Sequence, residues 1–312
     1  MARTYRSLDG VLLFDKSLEL SSNTALQKVR RLFQAEKAGH TGTLDPLATG
    51  LLPICFGEAT KYSTALLDAD KTYRATLRLG QVTTTGDAEG EIVSESPVSV
   101  TQADVDIVLA KFRGPIKQLP PMHSALKHQG KPLYEYIRKG ETIERELRDV
   151  VIHELHQERF EGLELDITVR CSKGTYVRTL GEDIGAVLGC GAHLTALRRT
   201  AIAHFDLSDA CDMAQLEAMS MEQREARVLP VDCLMPDMPK LQLDEVQIKR
   251  LAQGQRLGLD AGLPDGKIAL YGPQGFVGLG LLQGRRLAPD RLLSSVAKQA
   301  AQTVPGLNIG VE

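Results

Sequence analysis

The sequence predicts an α+β fold with a large first domain and a small β-rich second domain. Short apolar segments with strand or helix periodicity follow one another without a regular strand–helix–strand repeat, which argues against a doubly wound parallel sheet. Around Pro236 and Pro239 the composition shifts towards a linker, and glycine-rich apolar segments follow. We therefore expect domains over residues 1–238 and 239–312, the second of a length that suits a small β-barrel.

The first half of the chain alternates predicted strands and helices. Residues 10–15 are short and apolar, as in a strand. Ser22 or Asn23 is placed to cap a helix whose apolar residues recur at helical spacing. After Tyr73, apolar and polar residues alternate with the period of a half-buried strand. Thr101 is expected to cap the next helix.

The predicted elements continue towards the linker. Residues 131–139 suit a short helix, and residues 163–169 alternate as a strand. Helical spacing then predicts a helix that Thr175 caps, that runs to Leu188 and that Gly189 stops. Two apolar strands are expected in the second domain, over residues 267–271 and 276–282.

Composition limits the class of protein. The 312 residues are 43% hydrophobic and 25% charged, which is ordinary for a soluble globular protein with a sizeable core. The formal net charge of −3 does not by itself indicate nucleic-acid binding. Basic residues outnumber acidic ones over residues 113–148, and this segment suits either a basic binding face or a solvated surface of mixed charge.

Cysteine spacing and hydropathy point to an intracellular protein. The five cysteines form no Cys-x-x-Cys pair or other zinc spacing, so we expect reduced thiols and no metal site. The first ten residues lack the apolar core of a secretion signal, and no apolar run approaches the roughly 18 residues that cross a bilayer. We expect a cytoplasmic protein without membrane contact, and a monomer, since no heptad seam is present.

One loop, residues 39–50, places a single carboxylate between predicted regular elements. Its sequence is Gly-His-Thr-Gly-Thr-Leu-Asp-Pro-Leu-Ala-Thr-Gly. Pro46 bars Asp45 from the right-handed helical region and fixes the direction in which the chain leaves it. Three glycines permit positive φ and close approach of a ligand to the backbone, namely Gly39, Gly42 and Gly50. Asp45 is thus a candidate nucleophile, although Asp before Pro is also typical of a helix N-cap.

This loop resembles the catalytic signature of the TruB family, the tRNA pseudouridine synthases that isomerise the uridine at position 55 of the T loop. Further blocks that resemble the family keep its order and approximate spacing, over residues 51–61, 71–74, 171–178 and 189–194. The resemblance covers most of residues 10–200. It implies the pseudouridine synthase fold, with a central mixed, mainly antiparallel sheet flanked by helices, and a PUA-like RNA-binding β-barrel at the C-terminus.

The resemblance implies three catalytic residues. Asp45 matches the nucleophile, which is consistent with a carboxylate that divides the isomerisation into easier steps. Tyr73 matches the tyrosine that stacks on the target base and whose hydroxyl is placed for proton transfer. Arg178 matches the arginine that pairs with the aspartate, and a nearby cation should lower the pKa of Asp45. Taken locally, Tyr73 also suits an interior aromatic, and Arg178 an exposed helix arginine.

The resemblance also implies substrate contacts. Three residues match positions that contact the flipped nucleotide or the loop around it, namely His40, Tyr176 and Leu197. Lys16 and Lys61 are candidate phosphate contacts. Each also has an ordinary structural interpretation, since single histidines and leucines are usually structural and surface lysines are common.

The implied reaction breaks and reforms one base–ribose linkage without oxidation, so it needs no cofactor. The sequence accordingly contains no Walker loop and no Gly-x-Gly-x-x-Gly after a strand. The expected partner is the T-stem loop of tRNA. The target uridine is stacked in a folded loop, so it must be flipped into the pocket, and phosphate contacts should make affinity depend on salt.

The chain departs from the family pattern in two places. The usual Asp-Lys-Pro with a glycine two residues later reads Asp15-Lys16-Ser17, with Glu19 at the glycine position. The usual Thr-Asp-Thr-x-Asp has Thr84 in place of its first acid and ends at Asp87. Neither change touches the three catalytic candidates, so we expect activity. Two other functions remain open: an RNA-binding, tRNA-folding protein in which catalysis is secondary, and a hydrolase that uses Asp45.

Overall fold

The computed structural model of the chain describes residues 5–124, 126–137, 139–141, 143–260, 262–296 and 298. Residues 299–312 of the predicted second domain lie outside the described residues. The described strands are β1 (Gly10–Lys16), β2 (Ala38–His40), β3 (Ala48–Phe56), β4 (Lys71–Leu79), β5 (Gln81–Thr83), β6 (Ile92–Glu95), β7 (Gly114–Gln118), β8 (Lys127–His128), β9 (Lys131–Pro132), β10 (Arg148–Glu161), β11 (Glu164–Cys171), β12 (Ala192–Ile202), β13 (Phe205–Asp206), β14 (Lys240–Gln242), β15 (Leu257–Gly258), β16 (Gly266–Gly272), β17 (Gly275–Gln283) and β18 (Arg286–Leu292). The described α-helices are α1 (Ser22–Leu32), α2 (Thr64–Leu67), α3 (Gln102–Lys111), α4 (Leu133–Ile137), α5 (Val177–Val187), α6 (Met213–Ala218), α7 (Met221–Glu225) and α8 (Glu245–Ala252).

A nine-stranded sheet organises the first part of the chain. Its order is β1-β3-β12-β4-β11-β10-β7, with β2 paired to β3 and β13 paired to β12. Its pairs are antiparallel except β12 with β3, which run parallel and place Arg199 opposite Gly50. The predicted mixed, mainly antiparallel sheet in an α+β arrangement is confirmed. The strands predicted over 10–15, after Tyr73 and over 163–169 correspond to β1, β4 and β11.

Helix ends follow the sequence signals in part. Thr101 caps α3 in a capping box with Asp104, and Gly189 follows α5 with φ +80°, both as expected. The predicted cap of α1 is wrong, because Ser21 accepts the Thr24 amide at 3.0 Å while the Ser22 hydroxyl is turned into the protein. The predicted helix over 131–139 is confined to α4, after the short strand β9.

The start of α5 also differs from the prediction. The helix begins at Val177 with Tyr176 as its N-cap residue, and the Thr175 hydroxyl instead donates to the Ser172 carbonyl at 2.9 Å. The buried side chain of Gln118 holds the Tyr176 backbone, accepting from its N–H at 3.0 Å. The first turn of α5 is therefore fixed by β7 rather than by a local cap.

Apolar side chains from α1, α3 and α5 belong to the largest core cluster, together with apolar side chains of the sheet. A second cluster joins Val11, Leu13 and Leu51 to Ala269 and Leu279 of the C-terminal sheet. The two sheets thus share a continuous apolar contact, because burial of both surfaces is favourable.

The C-terminal sheet has the order β14-β16-β17-β18-β15. The predicted strands over 267–271 and 276–282 correspond to β16 and β17. Its two outer strands, β14 and β15, are not paired with each other within the part of the chain that is described, so the sheet is a curled half-barrel rather than a closed barrel. None of the described helices is long and apolar enough to span a membrane.

Candidate active site

The loop that carries Asp45 connects β2 to β3, and hydrogen bonds from the start of α1 hold it in place. The Ser22 hydroxyl at the start of α1 accepts from the Leu44 N–H at 2.7 Å and donates to the Leu44 carbonyl at 2.9 Å. The Asp45 carbonyl accepts from the Ala48 N–H at 3.0 Å, which closes a turn through Pro46 into β3. A strand, not a helix, follows Pro46, so the N-cap interpretation of Asp45 is wrong.

Two of the three loop glycines use the conformational freedom expected of them. Gly42 and Gly50 have φ of +117° and +100°, whereas Gly39 does not lie in the positive-φ region. A Cβ at Gly50 would lie 2.3 Å from the Arg199 carbonyl oxygen. Gly50 therefore permits the close approach of β3 to β12 that brings the loop to the middle of the sheet.

Arg178 lies in the first turn of α5 and is only 6% exposed. One guanidinium nitrogen, Nη2, lies 3.0 Å from Asp45 Oδ2, and the other, Nη1, lies 3.5 Å from Asp87 Oδ2. The guanidinium also donates to the His123 carbonyl at 2.7 Å and to the Thr85 carbonyl at 3.3 Å. The exposed-arginine interpretation is wrong, and the expected pairing with Asp45 is present.

Asp87 is a part of the site that sequence reasoning treated only as the end of an altered motif. It is 2% exposed and accepts from the Thr85 hydroxyl at 2.5 Å and the Glu89 N–H at 3.1 Å. These bonds hold the carboxylate in place against Arg178. The signal that could have identified it was the single acid left in the Thr-Thr-Thr-Gly-Asp segment.

A cleft of about 240 Å³ lies beside this charged group. Five of the predicted site residues line it: Asp45, Tyr73, Tyr176, Arg178 and Leu197. Ser124 also lines it, and its buried hydroxyl has no hydrogen-bond partner among the described residues. Strands β4 and β12, the loop and the start of α5 thus bring residues together that are more than 150 positions apart in the chain.

Burial shifts the acid–base properties of the cleft. Burial raises the pKa of Asp45 above its ordinary 3.8, and the nearby Asp87 raises it further, while Arg178 and Lys16 lower it without reversing the direction. Arg178 thus lowers the pKa of Asp45 as expected, but the effect of burial, which the sequence does not show, is larger. Burial also raises the pKa of Tyr73, which keeps its hydroxyl protonated at neutral pH.

Lys16 and Lys61 do not line the cleft. Lys16 is fully buried, and its ammonium donates to the Ser17 and Leu20 carbonyls at 3.0 and 2.7 Å, which leaves no exposed surface for a phosphate. Lys61 pairs with Glu58 at 2.8 Å and donates to the Ser294 hydroxyl at 2.8 Å. It thus links the segment after β3 to the segment after β18, at the contact between the two sheets. Neither placement favours the predicted phosphate contact.

His40 lies in β2, half-buried and outside the lining of the cleft. In the part of the chain that is described, its Nδ1 has no hydrogen-bond partner, and burial together with the charge of Arg199 lowers its pKa below 6.5. The imidazole is therefore neutral at pH 7.

The basic segment over residues 113–148 uses several of its charges internally. Arg113 donates to the Leu155 carbonyl at 3.0 Å, Arg145 to the Pro120 carbonyl at 2.8 Å, and Lys117 pairs with Asp149 at 2.8 Å. Parts of this segment lie outside the described residues. In the residues that are described, no group of three or more His, Cys, Asp or Glu side chains is arranged to hold a metal ion.

The sequence reasoning did not identify Arg199, the largest side chain that is almost completely buried. A signal was available. Arg198 and Arg199 are adjacent in a strand, and successive strand residues point to opposite faces, so one of the two had to point inward.

Comparison with known proteins gives consistent matches along the chain. A model described as "TruB family pseudouridylate synthase (N terminal domain)" matches residues 30–177. Models described as "tRNA pseudouridylate synthase B C-terminal domain" and "Pseudouridine synthase II TruB, C-terminal" match residues 178–236 and 239–293.

Curated relatives match over nearly the full length. The tRNA pseudouridine synthase B of Chromobacterium violaceum is 54% identical over 297 residues, covering 94% of this chain and 97% of the relative. That of Chromohalobacter salexigens is 50% identical, covering 95% and 99%. Among solved structures, a Cbf5-Nop10-Gar1 complex contains a chain with a TM-score of 0.69 at 24% identity, covering 91% of this chain and 84% of that one. The structural likeness shows that the fold is shared.

Proposed function

The chain belongs to the TruB family of pseudouridylate synthases, and from this premise we propose that it isomerises the uridine at position 55 in the T loop of tRNA. It is an isomerase, and its 50–54% identical relatives carry the name tRNA pseudouridine synthase B. The hydrolase alternative falls with this assignment. The resemblance of residues 39–50 to the family signature supports the T loop as the site of reaction.

One observation carries the catalytic proposal: the carboxylate of Asp45 is held 3.0 Å from a buried arginine at the wall of a cleft that Tyr73 also lines. Three routes can use this carboxylate: addition to uracil, addition to the ribose as the base leaves, or assistance to an elimination that frees the base. Each route conserves all atoms and electrons of the nucleotide, so the reaction needs no cofactor.

Arg178 and Tyr73 have distinct proposed roles. Arg178 favours the ionised form of Asp45 against the effect of burial, and Asp87 keeps the guanidinium in place. The ring of Tyr73 stacks on the base, and its hydroxyl, protonated because burial raises its pKa, takes part in proton transfer. Tyr73 in β4 acts on the bound uracil directly, and Arg178 in α5 acts on it through Asp45 in the loop.

The cleft requires the nucleotide to leave its stack. Because Asp45 lies at the wall of a cleft of about 240 Å³, the target uridine is flipped out to reach it, and Tyr176 and Leu197 contact it. His40 supports the loop that surrounds it. The C-terminal half-barrel acts as a PUA-like RNA-binding domain, and the protein works as a monomer in the cytoplasm on tRNA.

The test is pseudouridine mapping by carbodiimide labelling and primer extension on an unmodified tRNA transcript. We expect one new stop at the T-loop uridine with wild-type protein and none with Asp45→Ala. A transcript in which that uridine is replaced by cytidine controls for position. Binding of the transcript without any stop would overturn the proposal and leave an RNA-binding, tRNA-folding protein.

A further inference from the structure

Arg199 in β12 is 1% exposed, although its guanidinium is charged. The ion pairs formed by the described residues do not include it, so its charge is balanced by neutral oxygens rather than by a carboxylate. Burying a charge without a counter-ion is costly, and such a group persists where its hydrogen bonds hold an arrangement together. The hydrogen bonds of Arg199 therefore indicate its role in the protein.

The guanidinium joins both ends of the Asp45 loop. Its Nε donates to the Leu51 carbonyl at 2.8 Å, and its Nη2 donates to the Gly42 carbonyl at 3.2 Å. The backbone of Arg199 also lies directly against Gly50, where a Cβ would lie 2.3 Å from the Arg199 carbonyl oxygen. One residue of β12 thus contacts the loop three residues before Asp45 and again at five and six residues after it.

The same side chain faces Tyr73. Arg199 and Tyr73 are directly opposite in the antiparallel pair of β12 and β4, so both point to one face of the sheet. The charge of Arg199 lowers the pKa of the tyrosine, against the larger upward effect of burial. Its charge also lowers the pKa of His40.

We propose that Arg199 is a positioning residue that fixes Tyr73 and the Asp45 loop relative to each other, so that both reach the same uracil. It acts through these two elements and does not contact the substrate. This inference rests on the proposed roles of Asp45 and Tyr73. It predicts that a change at Arg199 alters chemistry and the surroundings of the Tyr73 hydroxyl while leaving RNA affinity nearly unchanged.

The chain provides a matched control in the preceding residue. Arg198 is on the opposite face of the same strand, its side chain is 41% exposed, and it pairs with Asp15. Arg198→Lys makes the same chemical change one position away. Arg198 donates to the Thr49 hydroxyl at 3.2 Å near the end of the loop, but it is opposite Arg74 and not Tyr73.

The experiment compares Arg199→Lys with Arg198→Lys in the full chain, using an unmodified tRNA transcript. Single-turnover pseudouridine formation, transcript affinity and thermal stability are measured. The Tyr73 Cζ resonance is followed in protein labelled with ¹³Cζ-tyrosine and assigned with Tyr73→Phe. We expect Arg199→Lys to slow the single-turnover step about a hundredfold, as for a misplaced reacting group. We also expect it to move the Tyr73 resonance and to keep affinity within about threefold. Arg198→Lys should change none of these.

The second variant is Arg199→Gln, which keeps N–H donors without the charge. The same measurements are made on it and compared with wild type and Arg198→Lys. A wild-type-like rate for Arg199→Lys, or a slower rate with an unmoved Tyr73 resonance, would overturn the proposal. If neither variant folds, the residue serves the fold as a whole and the proposal is wrong. If the wild type forms no pseudouridine, the proposed function fails. A shift of the Tyr73 resonance in Arg199→Lys still tests whether Arg199 contacts Tyr73.

Discussion

Two carboxylates in this protein are each paired with a cation at nearly the same distance, yet their pKa values move in opposite directions. Asp45 lies 3.0 Å from Arg178 in the cleft, and burial raises its pKa. Glu58 lies 2.8 Å from Lys61 at the contact between the two sheets. There burial also opposes ionisation, but hydrogen bonds from Lys61 and Ser294 outweigh it and lower the pKa.

The difference lies in the other partners. Glu58 accepts additionally from the Ser294 N–H at 2.6 Å, so its negative charge is well compensated. Asp45 shares its arginine with a second carboxylate, Asp87, whose charge opposes its own. The compensated charge of Glu58 thus stabilises the contact between the sheets. The charge of Asp45 is incompletely compensated, and its carboxylate is available to react.

The largest effect that tests this contrast is expected for Asp45→Asn. The amide keeps the size of the side chain but cannot act as a nucleophile, so single-turnover pseudouridine formation should fall by about 10⁴-fold or more. Transcript affinity should stay within a few-fold, because the shape of the cleft is kept. Glu58→Gln is the matched control and should retain wild-type turnover. Turnover by Asp45→Asn at the wild-type rate would eliminate the nucleophile assignment.

Asp87→Asn should have the next largest effect. It removes the buried charge that holds Nη1 of Arg178, so the guanidinium is less firmly oriented towards Asp45. We expect a rate loss of about 10- to 100-fold with little change in KM for the transcript. Thermal melting and rapid-quench kinetics on the same preparation separate this loss from unfolding. A rate loss no larger than that of Glu58→Gln would show that Arg178 needs no second carboxylate.

Much of this contrast could not be predicted from the sequence. The loop glycines, the Asp-Pro pair and the family signature indicated Asp45, Tyr73 and Arg178, because these signals lie within short segments. The direction of the Asp45 pKa could not be predicted, since it depends on Asp87 and on burial, and both arise from strand pairing far away in the chain. Lys16 was predicted as a phosphate contact because the sequence does not show that its side chain is fully buried. Nor does the sequence show that Lys61 pairs with Glu58 and donates to Ser294.

The fold shows the same division. Alternation predicted β4 and β11, since one buried face imposes the period of two. Short apolar or glycine-rich apolar runs predicted β1, β16 and β17. The caps of α1 and α5 were displaced because Ser22 binds the Leu44 backbone and Gln118 binds the Tyr176 backbone. Such long-range hydrogen bonds override a local capping signal.

The pH dependence of the chemical step sharpens the comparison further. Asp45 must be ionised to act, and its pKa is raised, so the rate should fall as pH decreases through a midpoint above 3.8. Because the charge of Asp87 contributes to the rise, Asp87→Asn should move this midpoint to lower pH. Single-turnover rates between pH 4.5 and 8, with stability checked at each pH, measure both curves. An unmoved midpoint in Asp87→Asn would contradict the coupling of the two carboxylates.

The smallest expected effect is on the contact between the sheets. Glu58→Gln removes the charge that Lys61 and Ser294 share, and should cost about 1 kcal/mol of unfolding free energy at pH 7. The lowered pKa of Glu58 favours folding above its ordinary value of 4.5, and this stabilisation is lost as pH falls through the lowered pKa. The melting difference from wild type should therefore be full at pH 7 and shrink at pH 4.

Lys61→Met distinguishes the two interpretations of Lys61: a contact between the sheets predicts lower stability with unchanged RNA affinity. A phosphate contact predicts weaker binding and a smaller dependence of affinity on salt. We expect the first result, because both polar partners of the Lys61 ammonium, Glu58 and Ser294, belong to this contact.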